Sequence, residues 1–142
     1  MTSGSKNLVI VGTGTFAQVA LEYFEQDSPY LVDAFAVERE FVTMSESCGR
    51  PVIAFEDIAD SYPPSTHDVF VAITYNELNR VRKRLVDSAI RLGYKTASYT
   101  SPHALVAQSA QLGQHCFIFE GNVVQPFVNV ADNVIFWSGN HI

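Results

Sequence analysis

Residues 116–142 read CFIFEGNVVQPFVNVADNVIFWSGNHI, and the spacing of the apolar residues in this stretch decides the fold. From position 106 onward, every sixth residue is bulky and apolar: Val106, Leu112, Ile118, Val124, Val130, Phe136 and Ile142. The residues two positions earlier are mostly small or β-branched: Ala104, Ala110, Cys116, Asn122, Val128, Val134 and Asn140. A period of six suits neither an α-helix nor a series of hairpins. It is typical of a parallel β-helix, in which each hexad forms one short side of a triangular coil and directs its apolar residue inward.

A second repeat, at eighteen residues, supports this interpretation, because three hexads complete one coil. Residues 117–122 read FIFEGN, and residues 135–140 read IFWSGN. The offset predicts three stacked pairs: Phe119 with Trp137, Gly121 with Gly139, and Asn122 with Asn140. The alternative is a chance spacing of apolar residues in a sandwich domain.

The first hundred residues instead alternate between strand and helix patterns. Apolar runs predict strands at residues 7–12, 32–37, 51–55, 68–74 and 95–99. Helical periodicity predicts helices at residues 15–26 and 76–92, and Gly93 suits the C-terminal end of the second helix. We expect the apolar side of that second helix to consist of Leu78, Val81, Leu85, Ile90 and Leu92.

This alternation is typical of an α/β fold with a parallel, doubly wound sheet. The sequence therefore predicts two domains. Residues 1–100 form a small Rossmann-like, parallel-sheet domain, and residues 101–142 form slightly more than the first two coils of a parallel β-helix.

Composition narrows the classes of function. The formal net charge of −6 argues against a nucleic-acid partner, because the phosphate backbone favours clustered Lys and Arg. No apolar run approaches the roughly 18 residues of a membrane span, and the first residues lack a signal-peptide pattern, so we expect a cytoplasmic protein.

The two cysteines and four histidines show no disulfide or metal-ligand spacing, so we expect no metal site. The basic run RVRKR at residues 80–84 is either a solvated helix face or a phosphate-binding patch.

The loop after the first predicted strand reads Gly12-Thr13-Gly14, and Thr15 and Phe16 open the following helix. Glycines allow a tight turn and a close approach to the backbone, and the N–H groups at a helix N-terminus attract anions. The loop could therefore hold a dinucleotide or another phosphate-bearing ligand, or it could be a structural turn without a ligand. A dinucleotide would use an acid at the end of the second strand for a ribose hydroxyl.

Ligands of doubly wound sheets bind at the carboxyl ends of the strands, which selects further candidate residues. Arg82 is added as a phosphate partner because of its charge. These candidates are Glu38, Arg39, Thr74, Tyr75, Asn76, Asn79 and Arg82.

Taken together, the chain resembles the sugar O- and N-acyltransferases of the sialic acid O-acetyltransferase family, which carry a left-handed β-helix of hexapeptide repeats. The resemblance rests on VIVGTGTFAQVA at residues 9–20, on AITYNELNRVRKRL at residues 72–85, and above all on residues 116–142. It implies a bacterial enzyme that acylates nucleotide-linked or free sugars for surface polysaccharides and glycans. It also implies acetyl-CoA or another acyl-CoA as co-substrate and a homotrimer formed through the β-helix.

The same resemblance implies that the first domain receives the nucleotide part of a sugar nucleotide. It supports Glu38, Arg39, Thr74 and Tyr75 as contacts to the base and ribose. Val37-Glu38-Arg39 stands where many relatives carry consecutive aspartates, which leaves the identity of the base open.

By the same resemblance, the catalytic histidine falls about two residues beyond Ile142, and most of the CoA groove lies in further coils, so the chain appears truncated within the β-helix. His141 is the nearest histidine and the one catalytic candidate within the chain, although strand alternation points it outward. The leading expectation is thus an acyltransferase that acts on a nucleotide-linked sugar, present here without most of its catalytic β-helix. The alternatives are a non-catalytic module that binds a nucleotide or nucleotide sugar, and an NAD-binding redox or sensor domain.

Overall fold

A computed structural model describes residues 6–74 and 80–142, and it shows a mixed α/β protein with a parallel sheet. The chain forms two compact units, a first unit of Met1–Thr96 and a second unit of Ala97–Ile142. Within the described ranges, no helix is both long enough and apolar enough to cross a bilayer.

The first unit is built around a five-stranded sheet with the strand order β3-β4-β2-β1-β5. Its strands are β1 (Lys6–Val11), β2 (Tyr30–Val37), β3 (Glu46–Ser47), β4 (Arg50–Ala54) and β5 (His67–Val71). All neighbours pair in parallel except β3, which pairs antiparallel with β4. The interior strand β1, which lies between β2 and β5, is buried from Leu8 to Val11, as expected for an apolar run covered on both faces. At its end, Val11 pairs with Ala36 on one side and with Val71 on the other.

Two longer helices and one short helix belong to this unit: α1 (Thr15–Asp27), α2 (Ile58–Ser61) and α3 (Arg80–Arg91 within the described residues). Helix α1 buries Phe16, Ala17, Ala20, Leu21 and Phe24. The spacing of these residues is that of a helix with one face on the core.

The buried face of α3 differs from the prediction. The residues that this helix buries are Arg82, Leu85, Val86 and Ala89, at helical spacing. Ile90 and Leu92 are 49% and 43% exposed, so their place on the apolar side is wrong, and Leu78 lies outside the described residues. Gly93 ends the helix as predicted, because its φ of +100° lets the N–H of Tyr94 reach the carbonyl oxygen of Ala89 at 3.1 Å.

The strands of the first unit differ from the prediction in three ways. The strand predicted at residues 68–74 ends at Val71. Of the strand predicted at residues 95–99, the first unit keeps only a parallel bridge between Thr96 and Val69, and Tyr99 begins a two-residue strand of the second unit. The hairpin of β3 and β4 was not predicted, since its turn is only Cys48-Gly49 and β3 has two residues.

The second unit consists of seven two-residue strands. They are β6 (Tyr99–Thr100), β7 (Leu105–Val106), β8 (Gln111–Leu112), β9 (Phe117–Ile118), β10 (Val123–Val124), β11 (Asn129–Val130) and β12 (Ile135–Phe136). They pair in parallel as β6-β9-β12, β7-β10 and β8-β11, and every pair joins residues eighteen positions apart. The eighteen-residue offset read from the sequence is therefore the register of this unit.

Two predicted stacks are present in detail. The rings of Phe119 and Trp137 lie parallel, with centroids 4.6 Å apart. The Asn140 N–H donates to Oδ1 of Asn122 at 2.9 Å. Positive φ angles recur every six residues, at His115, Gly121, Phe127, Asn133 and Gly139. The chain therefore turns at one fixed position in each of these hexads.

The interior of the second unit contains residues from both predicted sets. Cys116, Val124 and Val130 are buried, and partly buried apolar residues pack against them: Val106, Ala110, Val128, Val134, Phe136 and Ile142. Leu112 is the least enclosed member of the six-residue series.

Candidate functional site

The glycine loop joins β1 to α1, and its two glycines serve different purposes. Gly12 has a φ of +121°, and its N–H donates to the carbonyl oxygen of Ala36 at 2.7 Å. A Cβ at this position would lie 2.8 Å from the carbonyl oxygen of Ala72, so the fold itself requires glycine here. Gly14 has an ordinary φ of −79°, and a Cβ there would meet no protein atom within 4 Å. Neither backbone conformation nor packing within the protein therefore explains why position 14 is a glycine.

The N-terminus of α1 has features suited to an anion. Gly14 is its N-cap and supplies no side-chain cap, and the first turn holds no acidic residue. The positive end of the helix dipole is thus left for a negative group. Thr15 is exposed and Thr13 is half-buried, whereas the Phe16 ring is buried edge-on against Phe70 with centroids 5.9 Å apart. Only the backbone of Phe16 is therefore suited to ligand contact.

Glu38 follows directly after β2 and forms a bidentate ion pair with Arg84 of α3. The two guanidinium nitrogens of Arg84 donate to the two carboxylate oxygens at 2.8 and 2.9 Å. These bonds lower the pKa of Glu38, so the carboxylate stays ionised at neutral pH. The sequence named Arg84 only as part of the basic run and gave no sign of its pairing with Glu38, because the two residues are 46 positions apart.

Arg39 forms a separate ion pair on the surface. Its guanidinium donates to both carboxylate oxygens of Asp57 at 2.9 and 3.1 Å, and its backbone N–H donates to Glu56 at 2.9 Å. The pair raises the pKa of Arg39 and lowers that of Asp57. Arg39 is thereby held toward Asp57.

Arg82 lies inside the protein rather than on a solvated helix face. Its side chain is enclosed (the residue is 1% exposed), and its Nε–H donates to the carbonyl oxygen of Val71 at 3.2 Å. The guanidinium carbon lies 5.9 Å from the ring centre of Phe70. Arg82 is thus hydrogen-bonded to the last residue of β5. Only Arg82 thus departs from the solvated helix face predicted for the basic run, since Lys83 and Arg84 are exposed and pair with Asp87 and Glu38.

The remaining candidates divide between the two units. Thr74 is exposed after the end of β5, while Tyr75, Asn76 and Asn79 lie outside the described residues. His141 is exposed and forms a parallel bridge with Val123 in the second unit. Within residues 6–74 and 80–142, no three His, Cys, Asp or Glu side chains are placed to hold a metal ion.

The glycine loop and Glu38 lie at one edge of the sheet, because β1 and β2 are adjacent and parallel. This edge combines an anion-binding helix end, an ionised acceptor and exposed hydroxyl groups. Such a set can bind a phosphorylated, hydroxyl-bearing ligand.

Comparison with solved structures shows that this chain is similar in fold to sugar acetyltransferases. No protein-family model matches the chain, and no curated protein matches it in sequence. The acetyltransferase domain of PglB from Neisseria gonorrhoeae, solved in complex with acetyl coenzyme A, is 26% identical with a TM-score of 0.80. The match covers 98% of this chain and 65% of that domain.

Two further structures show the same fold at lower identity. PerB from Caulobacter crescentus, in complex with CoA and GDP-perosamine, is 23% identical with a TM-score of 0.75, and the match covers 95% of this chain and 63% of PerB. WeeI from Acinetobacter baumannii is 17% identical with a TM-score of 0.67, and the match covers 97% of this chain and 64% of WeeI. This chain therefore spans slightly less than two thirds of each of these proteins.

Proposed function

We propose that this protein serves in the acetyl-CoA-dependent acetylation of a nucleotide-linked sugar. The observation that carries the proposal is the similarity to the PglB acetyltransferase domain, which extends over 98% of the chain and so includes both units. PerB adds a substrate class, since its structure contains CoA and the nucleotide sugar GDP-perosamine.

In this proposal the first unit is a Rossmann-like, nucleotide-sugar-binding domain. The diphosphate lies at the N-terminus of α1, against the backbone of Gly12, Thr13, Gly14, Thr15 and Phe16. The ends of β2 and β5 supply the remaining contacts, from Glu38, Arg39, Thr74, Tyr75, Asn76 and Asn79. Because Arg82 is buried against the end of β5, we propose that it shapes this edge rather than binding phosphate directly.

The second unit is the beginning of a left-handed β-helix of hexapeptide repeats, through which the protein assembles as a trimer. Its support is the eighteen-residue parallel register and the turn at every sixth residue. Acetyl transfer needs a general base within hydrogen-bond reach of the attacking amine or hydroxyl. His141 is the candidate within this chain, and we assign no residue to coenzyme A.

Ligand-dependent melting tests the binding part of the proposal. A ligand that binds only the native state raises the melting temperature by mass action. We expect UDP or GDP and their sugar derivatives to stabilise the protein, and NAD to have no effect. Stabilisation by NAD alone would overturn the proposal in favour of an NAD-binding redox or sensor domain.

Release of CoA thiol from acetyl-CoA, in the presence of nucleotide-linked amino sugars, tests the chemical part. If His141 is the base, His141→Ala lowers turnover by about 10²–10⁴-fold. His103→Ala is the matched control, since it removes another exposed histidine of the second unit. Nucleotide-sugar binding without CoA release would favour a non-catalytic binding module instead.

A further inference from the structure

The Glu38–Arg84 ion pair joins two elements that lie on opposite sides of β1. Glu38 comes directly after β2, and Arg84 lies on α3, whose Arg82 donates to the carbonyl oxygen of Val71 at the end of β5. Since β1 lies between β2 and β5, the pair reaches across the end of β1, where the glycine loop begins. Open α/β sheets bind ligands at the strand ends where the strand order reverses, and this sheet reverses beside β1.

We propose that Arg84 is the cation that binds the diphosphate at the glycine loop, and that it exchanges the Glu38 carboxylate for the phosphate oxygens when the ligand binds. This inference rests on the proposed function. One ion pair replaces another in this exchange, and the guanidinium leaves the face of the carboxylate that it covers in the Glu38–Arg84 pair.

The place and exposure of Arg84 distinguish it from two other arginines near these strand ends. Arg39 is paired with Asp57, which follows β4, so it is held on the side of β2 that faces away from β1. Arg82 is buried and hydrogen-bonded to the end of β5. The Arg84 side chain is 53% exposed, so it can change its partner without disturbing the core. The glycine loop itself, residues 12–16, has no charged side chain.

The balance of charge favours the exchange. Ion pairs that are open to solvent contribute little to stability, because water screens them and both side chains have to be ordered. A diphosphate has more than one negative charge and several acceptor oxygens, and an arginine fork fits phosphate as well as it fits carboxylate. The N-terminus of α1 attracts the same anion through its dipole, and its first turn has neither an acidic residue nor a side-chain cap that would compete.

Calorimetric titration with inorganic pyrophosphate isolates this contact, because pyrophosphate has neither a ribose nor a base. We expect Arg84→Met to weaken binding roughly 10-fold, as is typical for the loss of a hydrogen bond to a charged group. Arg84→Lys should keep part of the affinity, since it keeps the charge but not the fork. Glu38→Gln should instead tighten binding roughly 2- to 5-fold, because Arg84 no longer has to leave a carboxylate.

A double variant separates this exchange from simple repulsion between Glu38 and the anion. If Glu38 acts through Arg84, Glu38→Gln has no effect when Arg84→Met is also present. Equal tightening with and without Arg84 means repulsion alone and overturns the inference. The control is Lys83→Met, which removes an ion pair with Asp87 on the same helix and should leave the affinity for pyrophosphate unchanged. Melting of each variant without ligand verifies folding.

The remaining outcomes separate this inference from the proposed function. Wild-type affinity in Arg84→Met, or weaker binding in Glu38→Gln, overturns the inference alone if UDP or GDP still raises the melting temperature. If pyrophosphate binds too weakly to titrate, the better of these two nucleotides replaces it, and the same loss in Arg84→Met is required. If neither pyrophosphate nor a nucleotide binds, the proposed function falls, and the inference falls with it.

Discussion

Gly12 and Gly14 are two residues apart, but an added side chain would meet different surroundings at each. Gly12→Ala forces a side chain into a positive φ and against the carbonyl oxygen of Ala72, so we expect a clear loss of stability. A Cβ at position 14 would meet no protein atom within 4 Å, so we expect Gly14→Val to melt within a few degrees of the wild type. The same valine blocks the approach of a phosphate to the backbone, so nucleotide affinity should fall steeply. Parallel melting and titration with UDP or GDP measure both effects.

Gly14→Ser is the matched control for this pair of variants. Serine is a preferred N-cap residue and occupies less space than valine, so it should preserve or raise the stability of α1 and reduce affinity less. If Gly14→Val binds nucleotide as well as the wild type does, the loop is a structural turn.

Arg82 and Arg84 show which contacts sequence reasoning about this part of the chain did not predict. The sequence selected Arg82 as a phosphate partner by charge, and the structure places it on the buried face of the helix with Leu85 and Ala89. The helical spacing of these three residues is present in the sequence. A search for apolar periodicity counts arginine as polar, however, and so does not place Arg82 on the buried face. The Glu38–Arg84 contact had no local signal, because it depends on how α3 packs against the sheet.

Within the second unit, Asn122 links consecutive layers of strands. It is buried, its Nδ2 donates to the carbonyl oxygens of Phe119 and Phe136 at 2.9 and 3.1 Å, and its Oδ1 accepts from Asn140. Asn122→Ala removes these three bonds and leaves backbone groups unsatisfied, so we expect a loss of about 3 kcal/mol in the free energy of unfolding. Denaturant unfolding followed by Trp137 fluorescence measures the loss.

Asn129→Ala provides the comparison, since Asn129 is exposed on β11 and should cost less than about 0.5 kcal/mol. Equal losses for the two variants would show that the buried amide does not stabilise the stack.

The elements of the two units were predictable to different degrees for a physical reason. In the second unit, the residues that stack are like positions of a repeat, so the sequence predicts contacts such as Phe119 with Trp137 directly. In the first unit, the end of a strand depends on partners far along the chain. Residues 95–98 have a strand-like composition but form only the bridge at Thr96, and Tyr99 belongs to β6 of the second unit. The hairpin turn at Cys48-Gly49 has positive φ angles at both residues. A cysteine gives no sequence signal for a positive φ angle, so the turn was not predicted.

At the level of the whole chain, the two units carry separate spectroscopic signals. The described helices α1, α2 and α3 all belong to the first unit, and Trp137, the single tryptophan, belongs to the second. Ellipticity at 222 nm therefore reports mainly on the first unit, and tryptophan fluorescence reports on the second.

A nucleotide that binds the glycine loop should stabilise the first unit. At a concentration about 100 times Kd, mass action contributes about 2.7 kcal/mol, which for a domain of this size raises the melting temperature by roughly 10 °C or more. We expect the ellipticity transition to shift by that amount and the Trp137 transition to shift less, since each unit is compact in itself. Gly14→Val should remove the shift from the ellipticity transition. Equal shifts in both signals would contradict independent unfolding and show that nucleotide binding in the first unit stabilises the stacked strands of the second.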